Sequence, residues 1–303
     1  MFILIVFLLV LVYQIRIRGI LRQKQLLKRI VDERTKNLNQ KTKELEYINR
    51  THLESLDYAK LIQGATLSPL EESKSILSDI GVLYLPSKIV SGDFYWIKDI
   101  GNQLIIAVVD CTGHGVPGAF MSLIGHVSLN NIIYSRGISS PEEILEELHL
   151  SVIRALHQDE NNNKDGMDMS VVVIDKIDKT LSFSGAMNPM VYIQNGKMTL
   201  IKGERRGVGG TYLFSRNKFQ KHVIDVSMPT TFYLYTDGYQ DQFGGITEES
   251  QKFMAKRFRQ LLLKNYELPL AEQINCLNKQ HNDWKGVGEQ TDDILVLGGR
   301  IDL

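Results

Sequence analysis

Four aspartates in this chain share one local setting, an apolar β-like run that meets a turn. They are Asp93 in "IVSGDFYW", Asp110 in "IIAVVDCTGHG", Asp237 in "FYLYTDGYQD" and Asp292 in "EQTDDILVL". A carboxylate that close to an apolar core is costly to desolvate unless it is paired or coordinates a cation. No Lys or Arg lies within the four motifs to serve as a partner. If the runs pack side by side, their ends gather negative charge at one edge of the sheets, and like charges so placed raise one another's pKa. A divalent cation is the natural compensation, and an all-oxygen donor set suits magnesium or manganese better than zinc or copper. Taken singly, each aspartate is ordinary turn chemistry, the side chain bonding its own backbone. Four within one domain weigh against that reading. Gly113 and Gly115 remove side chains where a backbone has to approach an ion. A helix opening near Pro117 would turn its positive dipole end toward an anionic ligand.

The positioning elements follow from periodicity. Beyond Asp79 the chain reads as short β-rich runs: "IGVLYLPSKIVSGDFYWI", "NQLIIAVVD", "MSVVVIDKI", "TLSFSGAM", "PMVYIQNG", "TFYLYTDG" and "DILVLGGRI". Helices interrupt them. One begins at Ser140, with Pro141 in its first turn and Glu143 completing a capping box. Ile144, Leu145, Leu148, Val152 and Leu156 form its apolar face. Two more are expected from about Glu248 to Leu263 and from Leu270 to about Trp284. Regular crossover helices between the strands are lacking, so the pattern predicts an α+β sandwich of antiparallel sheets with helices packed outside.

Upstream, "MFILIVFLLVLVYQI" is apolar throughout residues 1–15, and six Arg and Lys residues follow before the first acid, Asp32. That flank holds the C-terminal side of a membrane segment in the cytoplasm. The stretch is shorter than the roughly 20 residues of a full span, so an anchor, a buried helix and the truncated last span of a longer sensor all stay open. The expectation is a single pass through the cytoplasmic (inner) membrane with the remainder inside. Residues 16–56 place Leu27, Val31, Leu38, Leu45 and Ile48 in an a/d frame, a helix suited to parallel homodimerisation. Residues 57–78 read as a junction, a helix broken at Gly64 and a second short one near Pro69. Residues 79–303 form the globular domain.

Formal net charge is zero, with 35 basic and 35 acidic residues, which gives no support to nucleic-acid binding. The two cysteines, Cys111 and Cys276, form no CxxC and have no ligand-like His spacing, which argues against a disulfide framework and a structural zinc site.

"SGDFYW", "VVDCTGHGVPGAFMSLIG", "DMSVVVID", "FSGAMNPMVYI", "LYTDGYQD" and "QTDDILVLGGRI" stand in the order expected of PPM-type metal-dependent protein phosphatases. The chain resembles their SpoIIE/RsbU-like branch from about Asp57 to Leu303. The "VDERTKNL" stretch is similar to helices that link membrane sensors to cytoplasmic output domains. The resemblance implies an α/β/β/α sandwich holding two Mn2+ or Mg2+ ions. On it, Asp110 bridges the metals, Asp93 supports the second, and Asp237 and Asp292 hold the first. Cys111 offers its backbone carbonyl, and Asp293 is an auxiliary group. Lys88, Gly113 and His114 are the candidates for contact with substrate. Two ions about 3.5–4 Å apart can activate a water and neutralise phosphoryl charge, and the absence of a C-x5-R loop around either cysteine fits a route without a phosphoenzyme.

The resemblance further implies a phosphoserine or phosphothreonine substrate on a regulatory protein of the anti-anti-sigma (STAS) type, with the stalk controlling the site. This chain departs from the family at three places. The eukaryotic histidine two residues after the bridging aspartate is missing, and His114 lies four residues on. The phosphate-binding arginine is unmatched, Lys88 being the nearest basic residue before Asp93. Met187 replaces a histidine in "SGAMNPM", leaving Asn188 and Pro189 as a structural turn. The alternatives are a degenerate domain that binds a phosphoprotein without hydrolysing it, and a sensor kinase. The latter lacks an ATP-lid motif after His52.

Overall fold

The computed structural model describes residues 1–210, 218–245 and 250–303. The chain divides into two compact units, residues 1–58 and residues 59–303. Helix α1 (Phe2–Thr66) supplies all of the first unit, because neither Gly nor Pro interrupts the chain from Ile20 to Gln63. Its a/d residues Leu27, Val31, Leu38, Leu45 and Ile48 are 52–66% exposed. An 18-residue window near its start has a mean hydropathy of 2.2 and is nowhere buried, apolar enough to cross a membrane.

The expected break at Gly64 does not occur. One helical glycine costs only about 1 kcal/mol relative to Ala, and α1 runs on to Thr66, whose hydroxyl bonds the Gln63 carbonyl at 2.8 Å. Pro69 then introduces a single 3-10 turn, Leu70–Ser73.

The second unit continues in chain order with β1 (Leu77–Leu85), β2 (Phe94–Asp99), β3 (Gln103–Cys111), α2 (Val116–Asn130) and α3 (Pro141–Ala155). A π turn, Asn131–Ser135, closes α2. Next come β4 (Gly166–Asp175), β5 (Thr180–Ala186), β6 (Met190–Gln194), β7 (Lys197–Ile201), β8 (Val208–Gly209), β9 (His222–Asp225) and β10 (Thr230–Tyr235). The rest comprises α4 (Gly238–Asp241), the small ribbon β11 (Phe243–Gly244) and β12 (Gln251–Lys252), α5 (Ala255–Asn265), α6 (Leu270–Lys285) and β13 (Ile294–Ile301). The strands form two antiparallel sheets, β1-β13-β10-β6-β7 and β2-β3-β4-β5-β9, with β8 paired to β4.

Three apolar layers explain why the central strands read as nearly continuous hydrophobic runs. Leu104, Ile106 and Val108 of β3 meet Phe232, Leu234, Leu295 and Leu297 between the sheets. Ile105, Ala107 and Val109, the alternate residues of β3, pack instead against Ile144, Leu145, Leu148 and Val152 of α3. On the far side Tyr233, Tyr235 and Val296 pack under Phe258 and Leu262 of α5 and Leu277 of α6. The order is helix, sheet, sheet, helix, as expected. Each fully buried Phe or Leu contributes about 1.5–3 kcal/mol relative to exposure.

Three details differ from the sequence expectation. The run from Ile80 to Ile97 is two strands in different sheets, joined by the loop through Ser91, Gly92 and Asp93. The capping box at α3 does not close, since the Ser140 hydroxyl bonds Glu142 at 2.8 Å and accepts from Lys221 at 2.9 Å. The helix expected from Glu248 begins at Ala255, and Glu248 itself lies outside the described residues.

Candidate active site

Strand alternation decides which way each aspartate points. Leu104, Ile106 and Val108 face the gap between the sheets, so Asp110 does too, while Cys111 joins the layer under α2 and α3. On β4, Met167, Met169 and Val171 face outward and Val172 and Ile174 inward, which turns Asp168 into the gap. The same alternation brings Thr236 in after Leu234 and Asp293 in before Leu295. Antiparallel pairing then gathers strand ends and strand starts on one edge. Asp110 stands opposite Asp168, and Leu85 opposite Ile294.

At that edge opens a cavity of about 290 Å³ lined by Asp93, Asp110, Asp168, Asp237, Asp292 and Asp293, with Cys111, Thr112, Gly113 and His114. No Lys or Arg lines it among the described residues. Asp93 and Asp293 form its floor, at 2% and 4% exposed, and Asp237, Asp292 and His114 stand exposed at its mouth. Asp93 accepts the Thr236 hydroxyl at 2.7 Å, and Thr236 accepts the Leu295 N–H at 3.0 Å. Asp293 takes the N–H groups of Ser87 at 2.6 Å and Gly92 at 2.7 Å, one on each carboxylate oxygen. Its own N–H donates to Asp292 Oδ1 at 2.8 Å.

Burial pushes the Asp93 carboxyl well above the usual range, and the charge of Asp110 adds to it against the opposing Thr236 hydrogen bond. Asp110 is pushed up to about 8, by burial first and then by Asp237, Asp292 and Asp168. Asp168 rises to about 6 through burial and Asp237. Asp237 and Asp292 are raised in the same direction, burial again leading, while the Asp293 N–H and His114 hold Asp292 down.

The loop beside the carboxylates is built by close backbone approach. Gly113 and Gly115 have φ of 82° and 66°, a region side chains disfavour. A Cβ on Gly92 would meet the Gly113 carbonyl at 2.6 Å, and one on Gly118 would meet Gly92 Cα at 2.8 Å. Thr112 ties the loop to the start of β4, its N–H donating to the Gly166 carbonyl and its hydroxyl accepting the Gly166 N–H, both at 3.0 Å.

Among the described residues, no three acidic, histidine or cysteine side chains close on one point tightly enough to hold an ion as they stand. They line a shared cavity instead, with Asp93, Asp292 and Asp293 turned onto protein donors. The donor set nevertheless fits a hard divalent cation. It is all oxygen, no Lys or Arg among the described residues compensates it, and its ionisation is opposed by burial and mutual repulsion.

The family model for Stage II sporulation protein E (SpoIIE) matches residues 100–302. This chain belongs to the SpoIIE family of PPM (PP2C-type) serine/threonine phosphatases. The solved SiaA-PP2C domain of Pseudomonas aeruginosa is 32% identical, with a TM-score of 0.75 over 84% of this chain and 98% of that one. The SpoIIE phosphatase-domain structure from Bacillus subtilis shares the fold at 16% identity, with a TM-score of 0.58 over 74% of this chain and 61% of that one. The RsbU and RsbW domains of Rv1364c from Mycobacterium tuberculosis share it at 20% identity and a TM-score of 0.56, over 75% and 61% of the two chains. Comparison with curated proteins gives no match. The PPM family generally uses Mn2+ or Mg2+.

Of the residues read from the sequence of this phosphatase domain, Asp93, Asp110, Cys111, Gly113, His114, Asp237, Asp292 and Asp293 come together on the cavity. Lys88 does not line it. It is exposed, and its stem lies about 4.0 Å from where a Gly115 Cβ would be. Asp168 is the residue that sequence reasoning missed. The usable signal was its parity with Ser170 and Val172 in "DMSVVVID", together with a position opposite Asp110 once β3 and β4 are paired.

Proposed function

We propose that this SpoIIE-family domain hydrolyses phosphoserine or phosphothreonine on a regulatory protein, using two Mn2+ or Mg2+ ions held by the aspartate cavity. The observation that carries this is the gathering of six aspartates, without a lining Lys or Arg among the described residues, on one edge between the sheets. Among the described residues lining that cavity, a phosphate dianion entering unaided is repelled by the carboxylates. Asp93, Asp110, Asp237 and Asp292 would hold the ions, with the Cys111 carbonyl contributing and Asp168 adding a further carboxylate opposite Asp110. When bound, the ions supply Lewis acidity that activates water and offsets charge on the phosphoryl oxygens. Thr236 and the backbone N–H of Asp293 fix the orientation of Asp93 and Asp292. Asp293 holds the loop that carries Asp93 through the N–H groups of Ser87 and Gly92. His114 stands at the mouth, within electrostatic reach of Asp292. The Cys111 thiol, buried in the core and raised by burial, takes no part.

An anti-anti-sigma (STAS-type) phosphoprotein is the substrate class this reading favours. The fold shared with the RsbU and RsbW domains of Rv1364c supports it. The apolar start of α1 favours a membrane anchor, and its exposed a/d residues favour a homodimer whose twist sets the activity of the site. The test is p-nitrophenyl phosphate hydrolysis by the full chain with Mn2+, Mg2+ or EDTA, beside Asp110→Asn. Metal-dependent turnover that the substitution abolishes supports the reading. Turnover that survives EDTA, or that Asp110→Asn leaves intact, refutes it.

A further inference from the structure

Gln63, on the last turn of α1 within the second unit, is partly buried and bonds both sides of one residue in the loop before β2. Its Nε2 donates to the Ser91 carbonyl at 2.7 Å, and its Oε1 accepts the Ser91 N–H at 3.1 Å. Nε2 also donates to the Ser122 hydroxyl of α2 at 3.0 Å, and Ser122 in turn donates to the Ala119 carbonyl at 2.8 Å. The loop has no ladder partner of its own here, so side chains satisfy its N–H groups one after another. Gln63 takes that of Ser91, Asp293 that of Gly92, and the Ser91 hydroxyl accepts that of Asp93 at 3.0 Å. The buried Asp93 is therefore two residues from a backbone unit gripped on both sides by one amide.

We propose that Gln63 is a positioning residue for divalent-cation binding. Its amide sets the Ser91–Asp93 backbone so that Asp93 presents its carboxylate to the cavity. The inference rests on the metal-dependent reading above. Only a primary amide supplies both the donors and the acceptor this grip uses. A glutamate would set an oxygen against the Ser91 carbonyl, and an asparagine would fall one methylene short.

The test uses the full chain in mild detergent, stripped with EDTA and titrated with Mn2+, free Mn2+ being read by its electron paramagnetic resonance signal. The variants are Gln63→Met, similar in length but without hydrogen bonds, and Gln63→Glu, which keeps only the acceptor. Loss of both bonds to Ser91 in Gln63→Met, and in Gln63→Glu of the bond to its carbonyl, which then faces an oxygen, should raise the Mn2+ Kd about tenfold, with turnover recovering as Mn2+ is increased. A lowered melting point with an unchanged Kd overturns the proposal, because Gln63 then only supports the fold. Should Gln63→Met not fold, Gln63→Glu decides alone. An Asp93→Asn control that loses Mn2+ while both Gln63 variants bind like wild type also overturns it and leaves the metal reading standing. Wild-type chain that binds no Mn2+ overturns both.

Discussion

Asp110→Asn should stabilise the cation-stripped protein while abolishing its activity, and the size of the gain follows from the cavity. In the folded chain the Asp110 carboxyl is pushed from 3.8 to about 8, mainly by burial and then by its carboxylate neighbours. The unfolded chain keeps the ordinary value, so unfolding releases a proton at neutral pH. A carboxyl raised in this way contributes stability that is complete below about pH 4 and is lost as pH rises toward 8. At pH 7 the difference spans about three pKa units, or about 4 kcal/mol, which water in the open cavity reduces to about 2–4 kcal/mol. Asparagine is neutral at every pH and escapes the penalty. Thermal melts in EDTA should show the variant about 4–12 °C above wild type at pH 8, with the gap shrinking to roughly a third at pH 5. Excess Mn2+ should reverse the order by stabilising wild type alone. A variant less stable than wild type at pH 8, or a gain equal at both pH values, would refute the reasoning.

Asp293→Ala leaves the N–H groups of Ser87 and Gly92 without their acceptor and should cost about 2–4 kcal/mol in urea unfolding, whereas Asp293→Asn, which keeps one acceptor, should cost about half. Gly118→Ala would drive a Cβ to 2.8 Å from Gly92 Cα and into the Gly113 carbonyl. That overpacking is worth about 1–3 kcal/mol and should appear as lost turnover with a lowered melting point. Replacing Leu38 and Leu45 with serine should shift the full chain toward monomer in sedimentation and change its rate without touching the cavity. No change in either would remove the stalk from the account.

Much of the site was legible because an Asp where an apolar run meets a turn is a local signal. Asp93, Asp110, Asp237 and Asp292 each carry it or its mirror at a strand start. Asp168 does not, since it lies inside β4 between Met167 and Met169 and acquires meaning only when β3 pairs with β4. The grip of Gln63 on Ser91 spans 28 residues and leaves no periodic trace. The central strands were readable because both of their faces are buried, whereas β7 and β9 lie at sheet edges, are largely uncovered, and were not anticipated. Gly64 misled because a glycine weakens a helix without ending it.

The most direct test of the account is the number of Mn2+ ions held per chain, measured by elemental analysis after equilibration with Mn2+ and removal of free metal. The account predicts two per wild-type chain, and fewer than one in Asp110→Asn, since Asp110 is the residue proposed to bridge them. Wild-type protein that retains none, or an Asp110→Asn variant that retains as many as wild type, would contradict it.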